Sequence, residues 1–175
     1  RGEVFGMELY DEGVEFARRR VGCQVVQGDV FNWPFTEPFH LIGLFDVLEH
    51  LSDDAGALRQ LRKGLAPDGR LVLTVPAHMS LWSYTDAEAH HCRRYETAGL
   101  TAVLKDAGFE VEYVTQFMSL LYPIAWLTRR LAGGGVVPGA DPARDREMTL
   151  REFRIVPGVN GILRWLLSRE AFFVR

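Results

Sequence analysis

The feature that most constrains this chain is a series of short apolar runs between Val4 and Pro76, each ending on a polar or acidic residue. In order they are VFGMEL, VVQGDV, FHLIGLFDVLEHL and LAPDGRLVLTVP, with helical patterns between the first and second and between the third and fourth. Strands that alternate with helices in this way specify βαβ units and a parallel sheet. Ligands of such sheets bind beyond the carboxyl ends of the strands. Glu8, Asp29 and the group Asp46, Glu49 and His50 fall at three successive strand ends. Acids in those places suit a ligand with hydroxyls, an amino group or positive charge. A lone strand-end acid is more often merely solvated; the repetition shifts the reading towards binding.

The pattern predicts strands over Val4–Leu9, Cys23–Gln27, Phe39–Phe45 and Arg70–Val75. Phe39–Phe45 is apolar enough to be covered on both faces. A helix capped by Asp11 runs to about Arg20, with Val14 and Ala17 inward. A second is capped by Ser52 or Asp53 and turns Leu58, Leu61 and Leu65 inward. Gly28–Pro38 is a loop carrying Trp33, and Pro67-Asp68-Gly69 is a turn. Ala77–Cys92 is a polar and aromatic excursion of a length usually reserved for function. Thr97–Ala107 is a helix closed by Gly108. Phe109–Gln116 alternates like a strand, Met118–Ala132 is strongly apolar, Gly133–Asp145 is a Gly/Pro-rich mobile loop, and Val159–Val174 is a helix capped by Asn160, with Ile162, Leu163, Leu166 and Leu167 on one face.

The order and spacing of these motifs resemble the class I methyltransferases that use S-adenosylmethionine. Glu8 in VFGMEL matches the family's acid after its second strand, which implies binding of two ribose hydroxyls. Asp29 in QGDV matches the acid that takes the adenine amino group, with Val30 supplying a backbone N–H. FDVLEHL matches the segment after the fourth strand, which implies backbone around Phe45 and Asp46 against the cofactor and Glu49 and His50 facing substrate. LAPDGRLVLTVP matches the following turn and fifth strand. HHCRRYETAGLTAVLKDAGFEV looks like a block of the subgroup often labelled type 11 or type 12. It implies His91 and Tyr95 in the pocket and Arg93 or Arg94 on an acidic group of the substrate. Trp82, with Tyr84, would wall an apolar part of that pocket. His50 or His91 would remove a proton from the acceptor, although many methyl transfers need only approximation. A metal is not expected; the alternative is that Glu49, His50 and His91 hold a divalent ion, as in methyltransferases with an ExxEH…H pattern, where Asp46 replaces the first acid.

The implied fold is α/β: a doubly wound, Rossmann-like, mostly parallel sheet with helices on both faces, followed by a helical extension. Residues 1–117 form the core and 118–175 the extension, with its mobile loop near 133–145. The family's first strand and glycine-rich loop have no counterpart, nor does its final antiparallel strand. A sheet without its central strand would leave two half-sheets with unpaired edges, so the chain is expected to be part of a longer protein.

Charge separates the same two parts. Residues 1–117 carry 11 Lys+Arg and 18 Asp+Glu, giving −7, and residues 118–175 carry 9 Arg and 5 Asp+Glu, giving +4. The acidic body argues against nucleic acid as a partner. The basic, apolar tail predicts either a lid or homodimer face over the sheet, or peripheral contact of the C-terminal helices with a membrane. Met118–Trp126, Arg129, Arg130 and Ile162–Phe173 carry that expectation. Cys23 and Cys92 lack metal or redox spacing and read as reduced thiols of a cytoplasmic protein. The expected partner is therefore a small-molecule or lipid-like methyl acceptor. Two other classes share some of these features: a non-catalytic, methyltransferase-like scaffold and a nicotinamide oxidoreductase.

Overall fold

A computed structural model describes residues 2–131 and, near the carboxyl end, 161, 163–165 and 167–170. Strand β1 (Phe5–Glu8) leads through helix α1 (Asp11–Arg18) to β2 (Gln24–Gln27), and β1 and β2 pair in parallel. Strand β3 (Phe39–Phe45) leads through α2 (Asp54–Gly64) to β4 (Leu65–Thr74), again a parallel pair. Among the described residues, the two pairs are separate two-stranded sheets with no ladder between them. They meet through aromatic side chains instead. Phe5 of β1 packs edge-on against Phe39 of β3 at 6.1 Å between ring centroids, and Trp33 and Phe35 complete the cluster.

Helix α2 forms where the pattern requires. Asp53 caps it by accepting a hydrogen bond from the Gly56 N–H at 2.8 Å. Ala57, Leu58 and Leu61 recur at helical spacing and are at most 1% exposed. They pack with Ile42 and Leu44 of β3, with Leu48, and with Leu104 and Ala107 from α4 (Thr97–Asp106) and its end. Gly108 follows α4 at φ +88°, the left-handed conformation that favours glycine just past a helix. The pairing of β3 with β4 begins at Phe39–Leu65, then skips to Leu41–Arg70. Pro67-Asp68-Gly69 is the extra loop this skip expels, so the predicted turn is a bulge within a strand that starts earlier than Arg70. A Cβ on Gly69 would lie 2.7 Å from the Phe39 carbonyl oxygen, so the close crossing needs glycine.

Two expectations change. Strand β3 is covered on one face only: Ile42 and Leu44 are buried, whereas Leu41 and Phe45 are each 60% exposed. Among the described residues, α2 covers the first face and no helix covers the second. The segment 109–116 turns only Phe109 and Val111 against the core, Tyr113 and Val114 are exposed, and it forms no strand. Periodicity sets which side chains turn inward, but a strand also needs a neighbour for its ladder.

The excursion after β4 holds a one-turn helix at Met79–Leu81 and α3 (Tyr84–Glu88). A parallel bridge between Ala77 and Tyr95 closes its two ends. Helix α5 (Tyr122–Leu131) starts the tail and packs back on this excursion, with Tyr122 5.0 Å from the His78 ring. Glu170, 5% exposed, accepts a hydrogen bond from the Ser119 N–H at 2.6 Å, so residues of the final helix contact the turn before α5. No helix among the described residues is long and apolar enough to cross a membrane. Residues 133–145, Asn160, Ile162 and Leu166 lie outside the described residues.

Candidate functional site

The acids sit at the carboxyl ends of the strands. Glu8 is the last residue of β1, and its Oε1 accepts hydrogen bonds from the N–H groups of Leu9 and Tyr10 at 2.9 and 3.2 Å. Asp29 lies two residues beyond β2, and its Oδ1 accepts from the Phe31 N–H at 3.0 Å. In each carboxylate one oxygen is thus anchored to the local backbone, which orients the other. Val30 buries its side chain in the core, fixing the Asp29 turn from below. At the end of β3, Asp46 adopts φ 51°, an uncommon conformation for a residue with a side chain. It is held there by the Asp46 N–H donating to the Thr74 carbonyl at 3.0 Å and by the Thr74 hydroxyl donating to Asp46 Oδ1 at 3.2 Å. The exposed Phe45 ring lies beside it on the open face of β3.

Beyond Asp46, a single helical turn at Leu48–His50 carries the second group. Glu49 is fully buried and neither of its carboxylate oxygens has a hydrogen-bond partner among the described residues. Burial pushes its carboxyl above the usual range, and the nearby Asp46 charge adds to the shift. His50 and His91 meet edge to face at 4.7 Å between centroids. Burial, followed by the neighbouring His91, lowers the His50 pKa from its ordinary value. One ligand atom from each of Glu49, His50 and His91 can be chosen so that all three lie within 4.8 Å of one another. The Cys92 N–H donates to the Glu49 carbonyl at 2.7 Å, which ties the excursion to this turn.

His91 is oriented by a residue that the motif reading missed. Asp86 of α3 is 1% exposed. Its Oδ1 takes His91 Nδ1 at 3.0 Å and Arg94 Nε at 2.7 Å, and its Oδ2 accepts from the Ser83 N–H at 2.8 Å. Burial alone would raise the Asp86 pKa; the hydrogen bonds from Arg94 and Ser83 outweigh it and hold the carboxyl below its ordinary value. The one available signal was Ser83-x-x-Asp86, the spacing of a reciprocal helix cap. His78 was missed as well. It has φ 63° and links the excursion to neighbouring segments through Glu96 at 3.0 Å and Gln116 at 3.2 Å.

Three residues expected to face substrate are placed differently. Arg94 spends its guanidinium on Asp86 and, at 3.1 Å, on the Ala77 carbonyl. Arg93 is ion-paired with Asp54 and donates to the Ser52 carbonyl at 2.8 Å. Tyr95 is 7% exposed and its hydroxyl donates to Asp54 Oδ2 at 2.7 Å. Burial and the Asp54 carboxylate both raise the Tyr95 pKa. The physical reason is shared: a polar loop folding onto the core must satisfy its own charges before it can offer any to a ligand. Trp82 is half-buried in the excursion. Trp33 instead lines a depression of about 490 Å³ with Phe35, Glu37 and Lys63, near the amino end of β3 and away from the strand-end acids.

The Asp54 pair yields a pH prediction. Burial raises the Asp54 pKa, but hydrogen bonds from Tyr95 and Arg93 win and lower it below the ordinary 3.8. A depressed carboxyl stabilises the fold above its unfolded pKa, and that contribution is lost as pH falls through the folded value. The melting temperature of Tyr95→Phe is therefore expected to lie below that of the parent at neutral pH, with the gap narrowing below about pH 4 as the charge-assisted bond weakens. A gap that stays constant through acid titration would exclude Asp54 as its source.

Comparison with known proteins places this geometry. The profile of a family described as "Methyltransferase domain" matches residues 3–114. A 37.1 kDa protein of transposon Tn4556 from Streptomyces fradiae is 33% identical over 136 residues, 68% of this chain and 39% of that protein. The chain thus spans about two-fifths of the length of that curated relative. Among solved structures, a putative methyltransferase from Bacillus halodurans aligns with TM-score 0.56 at 23% identity, covering 64% of this chain and 55% of that one. An S-adenosylmethionine-dependent methyltransferase from Mesorhizobium loti aligns with TM-score 0.55 at 18% identity, covering 74% and 75%. The glycopeptide N-methyltransferase MtfA, solved with S-adenosylmethionine, aligns with TM-score 0.54 at 18% identity, covering 66% and 70%.

Proposed function

Because the chain belongs to the methyltransferase-domain family of class I, S-adenosylmethionine-dependent proteins, we propose that it carries the cofactor-binding and acceptor-facing half of a methyltransferase for a small-molecule or lipid-like acceptor. The observation that supports this most is the row of acids at three consecutive strand ends, two of them with one oxygen anchored to backbone. The donor set fits the cofactor. Carboxylate oxygens suit vicinal hydroxyls and an amino group, and the exposed Phe45 and Leu41 side chains offer apolar surface for a flat ring. Glu8 would take the ribose hydroxyls, Asp29 with Val30 the adenine edge, and backbone at Phe45 and Asp46 the remainder.

When bound, the cofactor supplies a methyl group on a sulfonium, whose transfer leaves a neutral thioether. The chain therefore has no departing anion to stabilise. Its work is to align the acceptor, exclude water and accept one proton. His91, held by Asp86, and His50, beside it, are the groups that suit proton removal near neutrality. Glu49, Trp82 and the Arg94–Tyr95 turn would shape the acceptor side, the last two by positioning the loop.

Calorimetry on the full-length protein tests the binding half. Glu8→Ala and Asp29→Ala are each expected to weaken cofactor binding by ~1–3 kcal/mol, the cost of leaving ligand hydroxyls or an amino group without an acceptor. Unchanged affinity in both variants would sink the assignment.

A further inference from the structure

We propose that the outer face of α5, together with the exposed part of the final helix, is a docking surface for an anionic phospholipid membrane, on which the chain lies. Helix α5 is apolar on two sides. One side is used: the Tyr122 ring packs 5.0 Å from that of His78, and its hydroxyl lies 3.3 Å from that of Ser80, so the helix is seated on the excursion. The other side is open. Leu120, Ile124 and Leu127 recur at i, i+4 and i+7, the spacing of one helical strip, and are 49%, 56% and 50% exposed. Phe117 and Met118, also exposed, lengthen that strip. Globular surfaces carry such residues singly; a continuous run of them marks a contact.

Charge chooses the occupant. From Phe117 onward, Glu170 is the one carboxylate among the described residues, and it is buried, with Oε1 accepting from the Ser119 N–H at 2.6 Å. That contact also brings the final helix to the start of α5. Arg164, Trp165 and Arg169 of the final helix face solvent, with the Arg169 guanidinium 5.3 Å over the Trp165 ring. In sequence, Arg129 and Arg130 fall near the end of α5. With its acid drawn inward and arginines left outside, the surface is both apolar and positive. A second copy related by a two-fold axis would set this patch against itself, arginine facing arginine. A phospholipid surface answers both properties: the apolar strip enters the boundary between headgroups and chains, tryptophan settles at that level, and arginines meet phosphates. Because α5 rests on the excursion that carries His91, docking would hold that loop against the surface and against an acceptor embedded in it. This last consequence rests on the proposed methyl transfer; the docking does not.

The test is co-sedimentation of the full-length protein with vesicles of phosphatidylcholine, alone and mixed with increasing phosphatidylglycerol. Binding is expected to rise with the anionic fraction and to fall as salt is raised. Ile124→Ser combined with Leu127→Ser should weaken partitioning about tenfold or more. Arg164→Gln and Arg169→Gln should each weaken it about fivefold. All four side chains are exposed, so the circular dichroism of these variants should match the parent. No binding at any composition, or binding indifferent to both sets of substitutions, would overturn the membrane surface. A dimer in sedimentation velocity that the Ile124 and Leu127 changes dissociate, without vesicle binding, would overturn it too and give the face to a second copy. Cofactor calorimetry on the same protein separates the two readings: vesicle binding without cofactor affinity leaves the docking surface standing and removes the methyl-transfer reading, and the opposite pair of results does the reverse.

Discussion

Replacing Asp86 by Ala is expected to destabilise the protein by about 3–5 kcal/mol, the range for removing one partner of a buried ion pair. Asp86 holds Arg94, His91 and the Ser83 N–H at once. Its loss strands the Arg94 charge, whose side chain is only 12% exposed, and uncaps α3. Asp86→Asn keeps acceptor oxygen but no charge, so a smaller loss should follow. Urea unfolding measures both. A cost for Asp86→Ala under about 1 kcal/mol would mean that this network is no more than a surface pair. The same variant frees His91 Nδ1, so the ring that orients the candidate site loses its anchor along with the fold.

Leu58→Ala should cost about 2–5 kcal/mol, the loss of transfer energy plus an unfilled cavity. Leu58 is wholly buried where α2 meets Ile42 and Leu44. The matched comparison is Leu41→Ala, on the opposite face of the strand that α2 covers and 60% exposed, for which a change within about 0.5 kcal/mol is expected. Equal losses at the two positions would show that the open face of β3 is in fact covered in solution. That contrast bears on the proposed function, which uses the exposed Leu41 and Phe45 as apolar surface for the cofactor ring.

Much of the site's frame was legible in the chain because its signals are local. Val25, Ile42 and Leu44 sit inside short apolar runs, and Glu8 and Asp29 follow such runs directly, so their places at strand ends needed no tertiary information. Asp53, Leu58 and Leu61 announced α2 through a cap and a 3.6-residue period. Gly108 marked the end of α4 in the same way. Segment 109–116 shows the limit of local reading. Its alternation holds only at Phe109 and Val111, and no strand forms, because a ladder partner is a property of another segment.

What the sequence determined by itself was the order of the first four strands and the helices between them, the acids at the strand ends and the residues of the α2 core, since each depends on neighbours within a few positions. Only the tertiary structure decided the charges of the excursion. Asp86, in a run of polar residues, reads as solvated; it is buried because Arg94, eight positions later, and His91 fold back on it. Tyr95 and Arg93 turn to Asp54, 41 and 39 positions earlier, rather than to a ligand. Glu49 is left buried and unpartnered beside His50 and His91 because the turn after β3 and the distant excursion converge there. Burial and pairing of charge are set by which distant groups arrive at the same place, and no local pattern encodes that.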